Sequence, residues 1–211
     1  MRSFNSLDRL LNEVQHFLDT LTHQARPDRP NPAAMYAETS LNHNEKRQSQ
    51  GFMRVNHTGE ICAQALYRGQ AFGTENKTLK QHFNVAANEE VDHLEWCQER
   101  LQELATHTSY LNPLWYIGAF IIGYSAARLG DALSLGFVEE TEQQVIRHLE
   151  RHQQDLPMND HKSRAIVAVM QTDEAQHAQD AKTAGAQNLP LILKLLMQLQ
   201  SKVMTTTAYY L

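Results

Sequence analysis

An all-α fold is predicted for this 211-residue chain by three observations. Apolar residues recur at intervals of three and four along most of its length. No alternating Val/Ile/Thr run bounded by turn dipeptides occurs, so strand signals are missing. Helix formers such as Ala, Leu, Gln, Glu and Arg dominate, while the 6 Pro and 9 Gly gather at joints.

In chain order, Leu7, Leu10, Leu11, Val14, Phe17, Leu18 and Leu21 predict a first helix with Ser6 as its N-cap. Pro27, Pro30 and Pro32 mark Ala25 to Ala34 as a linker. Residues 1–40 are thus read as a helix and a Pro-rich linker, and residues 41–211 as the main domain. Five helices are expected there, near 43–72, 76–106, 130–155, 160–184 and 190–206. Between the second and third lies the least polar stretch, Leu111 to Phe137, expected to be an insert broken by Pro113, Gly118, Gly123 and Gly130.

Composition narrows the function. Lys plus Arg is 19 and Asp plus Glu is 24, a formal charge of −5, which argues against nucleic acid as a partner. Two cysteines, Cys62 and Cys97, exclude a disulfide scaffold and are expected as small buried hydrophobes. Asp8, Glu13 and Asp19 interrupt any secretory apolar run, and the mean hydropathy is −0.51. A soluble or surface-attached intracellular protein is expected.

Two Glu-x-x-His motifs stand out, Glu90-Val91-Asp92-His93 and Glu174-Ala175-Gln176-His177. On a helix, positions i and i+3 share a face, so each motif presents a carboxylate with an imidazole. Both lie on stripes of core residues: Phe83, Ala86, Cys97 and Leu101 for the first, Val167, Met170 and Ala181 for the second. A buried, ionised carboxylate without a partner is costly, and a cation is its natural compensation. Glu60 and Glu90 have their midpoint at residue 75, inside the turn-like Gly73-Thr74-Glu75-Asn76. A hairpin folded there brings the two level. The same construction recurs from Glu139 to Glu174, whose midpoint falls at Leu156-Pro157-Met158-Asn159. Four Glu and two His on four helices are the ligand set of a ferritin-like di-iron bundle, here with extra helices at both ends. Periodicity favours Glu142 on the third ligand helix, Glu140 points about 100° from Glu139, and spacing does not decide between Glu139 and Glu142.

Arg54-Val55-Asn56-His57-Thr58-Gly59-Glu60, Glu90-Val91-Asp92-His93, Val138-Glu139-Glu140 and Glu174-Ala175-Gln176-His177 together resemble the demethoxyubiquinol hydroxylases of ubiquinone biosynthesis, over residues 50–211. The resemblance implies a metal site of Glu60, Glu90, His93, Glu139, Glu174 and His177, the four glutamates also serving in catalysis; it places the third-helix ligand on Glu139, the first Glu after Val138. It further implies two Fe ions per chain, O₂ as co-substrate, and reduction by the quinol itself or by NADH. The implied activity is ring hydroxylation of a polyprenylated demethoxyubiquinol. Two departures are Asn56, where many members have Asp, and Gln143-Gln144-Val145 in place of the His-rich stretch of animal members. Iron storage and tRNA hydroxylation are the competing readings; the apolar insert fits the first poorly and the charge of −5 the second.

Other features receive plainer expectations. Tyr67 is read as packed, with a hydrogen-bonding or redox role as the alternative, and His148, His152 and His161 are expected to be solvated. Thr108 to Ala127 carries no charge. A membrane-spanning helix, an internal hairpin and an interfacial segment are its three readings, and the interfacial one is favoured, with Trp115, Tyr116 and Tyr124 at headgroup depth. The apolar last helix, from Leu189 to Leu199, would extend that patch. The expected partners are therefore a polyprenyl quinol and the cytoplasmic face of a bacterial cell membrane, bound peripherally. The assembly expected is a homo-oligomer or a ubiquinone-biosynthesis complex.

Overall fold

The computed structural model describes residues 6–22 and 26–211, and all regular structure among them is helical. Seven α-helices run as α1 (Ser6–Thr22), α2 (His43–Gly73), α3 (Lys77–Glu103), α4 (Asn112–Arg128), α5 (Asp131–Asp155), α6 (His161–Thr183) and α7 (Leu191–Tyr210), with a short 3₁₀ turn at Pro32–Met35. Ser6 opens α1, but its side chain and Ala25 of the expected linker lie outside the described residues.

Local chemistry sets the boundaries. Asn42 caps α2 through the amides of Asn44 and Glu45, while the Glu45 carboxylate reaches back to the Asn42 amide. Gly73 ends α2, and Asn76 caps α3 through Thr78 and Leu79, so the first hairpin turns where the midpoint argument put it. The second turns at 156–160, where the Asp160 side chain accepts from the Ser163 amide. The two hairpins, α2–α3 and α5–α6, pack into a four-helix ferritin-like bundle.

Besides a cluster of Ile61, Ala65, Leu94, Tyr116 and Ala119 where α4 packs on the bundle, the core forms two blocks along the bundle axis. One gathers Trp96, Leu101, Leu149, Ile166 and Met170; the other gathers Tyr67, Phe83, Leu135, Val138 and Ala181. The metal-type side chains fall between them on every helix.

The apolar stretch departs from expectation. It is an unbroken helix, α4, followed by the start of α5. Pro113 sits in the first turn, where its missing N–H costs nothing. Gly123 and Gly69 face each other's helices: a Cβ on Gly69 would enter the Phe120 carbonyl, and one on Gly123 the Leu66 carbonyl. Those glycines let α4 lie against α2 backbone to backbone. Only Gly130, at φ 123°, breaks the chain. One face of α4 is thus buried through Tyr116, Ala119 and Ala126, while Leu114, Ile117 and Ile121 are exposed. No helix among the described residues is long and apolar enough to cross a membrane.

Candidate metal centre

Glu60 on α2, Glu90 and His93 on α3, and Glu174 on α6 converge, one ligand atom of each lying within 4.8 Å of all the others. His93 Nδ1 is 3.2 Å from Glu90, 3.3 Å from Glu174 and 3.7 Å from Glu60. His177 mirrors it: its Nδ1 is 3.2 Å from Glu174 and 3.3 Å from Glu90. Each Glu-x-x-His pair therefore faces the other across the α3–α6 contact. Glu60, Glu90, His93 and Glu174 are buried, and His177 is 11% exposed at the rim.

The fourth helix contributes Glu142. Its carboxylate is buried and accepts a 2.6 Å hydrogen bond from the Tyr67 hydroxyl. Burial pushes the Glu142 carboxyl well above the ordinary range, and neighbouring Glu174 and Glu90 add to the rise. Glu60 is raised in the same way, by burial and then by Glu90 and Glu174 against an opposing pull from His93. Burial acts on Glu90 too, but the two histidines outweigh it and hold that group below the ordinary range. Burial would lower His177, yet Glu174 and Glu90 push it up to about 12. Four carboxylates crowded in this way can ionise together only if cations neutralise them, supplied by imidazolium rings or by metal. Carboxylate and imidazole donors without thiolate suit iron or manganese, so the residues present fit a di-metal carboxylate centre.

Two openings flank the centre. An apolar cavity of about 140 Å³ between α2, α4, α5 and α7 reaches Glu60, with Leu66, Ile122, Val145 and Met197 in its walls. On the other side a polar depression of about 510 Å³ reaches His177 and is bordered by Glu89, Asp92, Asp173 and Asp180.

Residues 47–208 match the family model described as ubiquinone biosynthesis protein COQ7. The chain belongs to this family. It is 52% identical over 209 residues to the 3-demethoxyubiquinol 3-hydroxylase of Coxiella burnetii (strain RSA 493 / Nine Mile phase I), covering 99% of this chain and 97% of the relative. The enzyme of that name from Polaromonas sp. (strain JS666 / ATCC BAA-500) is 52% identical over 206 residues, covering 98% and 99%. The Francisella philomiragia one is 48% identical over 209 residues, covering 99% of each chain.

Within this COQ7-family chain the structure brings together Glu60, Glu90, His93, Glu174 and His177, and leaves one expected residue out. Glu139 is half-buried at a separate depression with Gln143, Gln187 and Lys194, and Glu142 occupies the place expected for it. The reason is rotational: three residues of helix turn a side chain by about 300°, and here the later glutamate faces the bundle axis. Glu140 points away, as expected, and pairs with Lys194 on α7 at 2.8 Å. The expectation of solvated histidines is also corrected. His152 is buried, its Nδ1 2.8 Å from Asn56 Oδ1, and its ring lies 3.9 Å from that of His148 in the cavity wall; only His161 is exposed. Arg29, Asp92 and Asp173 around His93 were missed. Asp92 and Asp173 each adjoin a motif glutamate or histidine and carried a faint signal, whereas Arg29 carried none.

Proposed function

We propose that this chain hydroxylates the ring of a polyprenylated demethoxyubiquinol, as a 3-demethoxyubiquinol 3-hydroxylase. The observation that carries the reading is the junction at Glu60, where an apolar cavity meets a buried cluster of carboxylates and imidazoles. Such a junction suits a ring substrate entering from a lipid phase toward a metal centre, and fits iron storage less well. In this reading two irons would be held by Glu60, Glu90, His93, Glu142, Glu174 and His177, and when bound they would supply the activation of O₂ that ring hydroxylation requires. The electron donor is the quinol itself or NADH.

The chain's own contribution follows from the geometry. Tyr67 fixes the Glu142 carboxylate by donating to it. Leu66, Ile122, Val145 and Met197 present a dry wall to the ring and exclude water from the reacting position. Exposed Leu114, Ile117 and Ile121 on α4, with Leu195, Leu196 and Leu199 on α7, form the face we assign to the cytoplasmic surface of the cell membrane. Each inserted side chain contributes about 1.5–3 kcal/mol, so three or four suffice for reversible attachment. A homo-oligomer or a complex with other enzymes of the pathway is the expected assembly.

Lipid extraction from a deletion strain tests the reading. Accumulated demethoxyubiquinone that disappears on complementation supports it; unchanged quinones overturn it.

A further inference from the structure

The two histidines of the centre are braced unequally. Both turn Nδ1 toward the carboxylates and Nε2 outward. Behind His177, Nε2 meets, among the described residues, only Glu89, at 3.1 Å, a side chain 54% exposed. Behind His93, Nε2 lies 2.9 Å from Asp173 Oδ2, and Arg29 Nη2 grips that same carboxylate at 2.8 Å, closer than its 3.4 Å separation from Nε2 itself. Arg29 Nε also donates to Asp92 Oδ2 at 2.6 Å, and the backbone amides of Asp28 and Arg29 donate to Asp92 Oδ1. The guanidinium lies 4.9 Å from the centroid of Trp96, whose ring packs 5.4 Å from that of His93. Further along the same segment, Asn31 donates to Glu99 at 2.6 Å and Glu38 accepts from buried Arg100 at 2.7 Å. A stretch that reads as a linker, and that precedes the residues matched by the family model, is therefore strapped down over the back of His93.

We propose that Arg29 is a positioning residue for the metal centre: it holds Asp173 so that Asp173 accepts the Nε2 proton of His93, leaving the Nδ1 lone pair turned to the site. The proposal rests on the metal-centre reading above. A neutral imidazole carries one N–H, and an acceptor fixed at one nitrogen selects which nitrogen can bind metal. Asp173 can do this only if it is held still, and a planar guanidinium whose separate nitrogens reach two carboxylates is suited to hold it. Nothing comparable braces His177 among the described residues, so the two halves of the centre should hold iron unequally.

The test uses full-length, iron-loaded protein challenged with excess ferrozine under reducing conditions. The parent is expected to lose iron in a fast and a slow phase. Arg29→Gln should accelerate the slow phase about 10–100-fold, the range for loss of a group that orients a ligand. Asp173→Asn should do the same, the double variant should add little, and Arg29→Lys should recover part of the loss. Glu99→Ala, which removes the Asn31 contact but leaves the Arg29 contacts with Asp92 and Asp173 in place, should behave as the parent. In zinc-loaded protein, long-range ¹H–¹⁵N spectra should place the His93 proton on Nε2 in the parent and show a changed or mixed tautomer in Arg29→Gln. Iron loss at the parental rate in Arg29→Gln overturns the proposal, as does a Glu99→Ala variant equally leaky. If Arg29→Gln does not fold, Arg29→Lys and Asp173→Asn decide by the same criteria. A parent that takes up no iron overturns the metal reading and this proposal with it; a parent that holds iron while the variants match it overturns this proposal alone.

Discussion

Glu142 is buried beside Glu90 and Glu174, which raise its carboxyl while His177 pulls the other way, and it accepts a hydrogen bond from the Tyr67 hydroxyl. Replacing it by Gln removes a ligand charge while keeping shape. Glu142→Gln is therefore expected to lose at least half of the bound iron and all but about 1% of turnover, whereas Glu139→Gln keeps both; iron assay and turnover on the same samples decide. Full iron in Glu142→Gln with an iron-free Glu139→Gln would reverse the assignment. Tyr67→Phe should retain iron but lose about 1.5–3 kcal/mol of stability in urea unfolding, the range for a buried hydrogen bond to a charged group. The difficulty of choosing between Glu139 and Glu142 is geometric. Three residues apart, the two differ by only about 60° around the helix, less than a core stripe is wide. The apolar neighbours Leu135, Val138, Val145 and Leu149 favoured Glu142, and the Val-Glu-Glu resemblance drew the choice to Glu139. Arg29 was illegible for another reason: its role depends on a non-helical strap, and irregular backbone has no period to read.

Helices were legible wherever one face was buried and one wet, because that contrast is what periodicity records. The α2–α3 and α5–α6 hairpins accordingly turn where the sequence put them. α4 was not legible: its residues are apolar on both faces, so the stripe disappears, and its glycines look like breaks when they are contact points. Gly123→Ala tests that account. A methyl group directed at the Leu66 carbonyl must push α4 from α2, and overpacking of this kind costs about 1–3 kcal/mol. Gly118→Ala, in open space, should be neutral or slightly stabilising; equal unfolding midpoints for the two variants would remove the close-approach argument. The exposed face makes a separate prediction. Replacing Leu114, Ile117 and Ile121 together by Ser should release the protein from anionic liposomes in flotation and leave its melting temperature within about 3 °C of the parent, since none of the three is buried. Unaltered flotation would show that α4 does not dock.

Across the whole molecule, the centre separates an apolar side, where the cavity opens between α4, α5 and α7, from a polar side rimmed by Glu89, Asp92, Asp173 and Asp180. On the apolar side, His148 in the cavity wall and His152 packed behind it form a stability switch that acid should reveal. Burial, followed by the neighbouring His148 and then Arg151, pushes His152 down to about 2, and burial with Arg151 pushes His148 down to about 4. In the unfolded chain both titrate near 6.5. Above that pH neither state binds a proton, so neither histidine makes stability depend on pH. Below it the unfolded chain binds protons that the folded chain refuses, and stability falls with pH: down to about 4 for His148, and further, toward about 2, for His152. Each refusal is worth about 1.4 kcal/mol per pH unit. Among the raised groups of the metal centre, His177, pushed up to about 12, is protonated in both states below 6.5 and adds no slope there, while Glu60 and Glu142, raised by burial, hold protons that the unfolded chain releases above about 4.5 and so oppose the slope equally in parent and variant. His152→Gln removes one titration, and its amide can still meet Asn56. Urea unfolding of parent and His152→Gln between pH 6 and pH 4.5 should therefore diverge, the parent losing about 1.4 kcal/mol per pH unit more than the variant. Parallel curves would mean that His152 accepts its proton in the folded state.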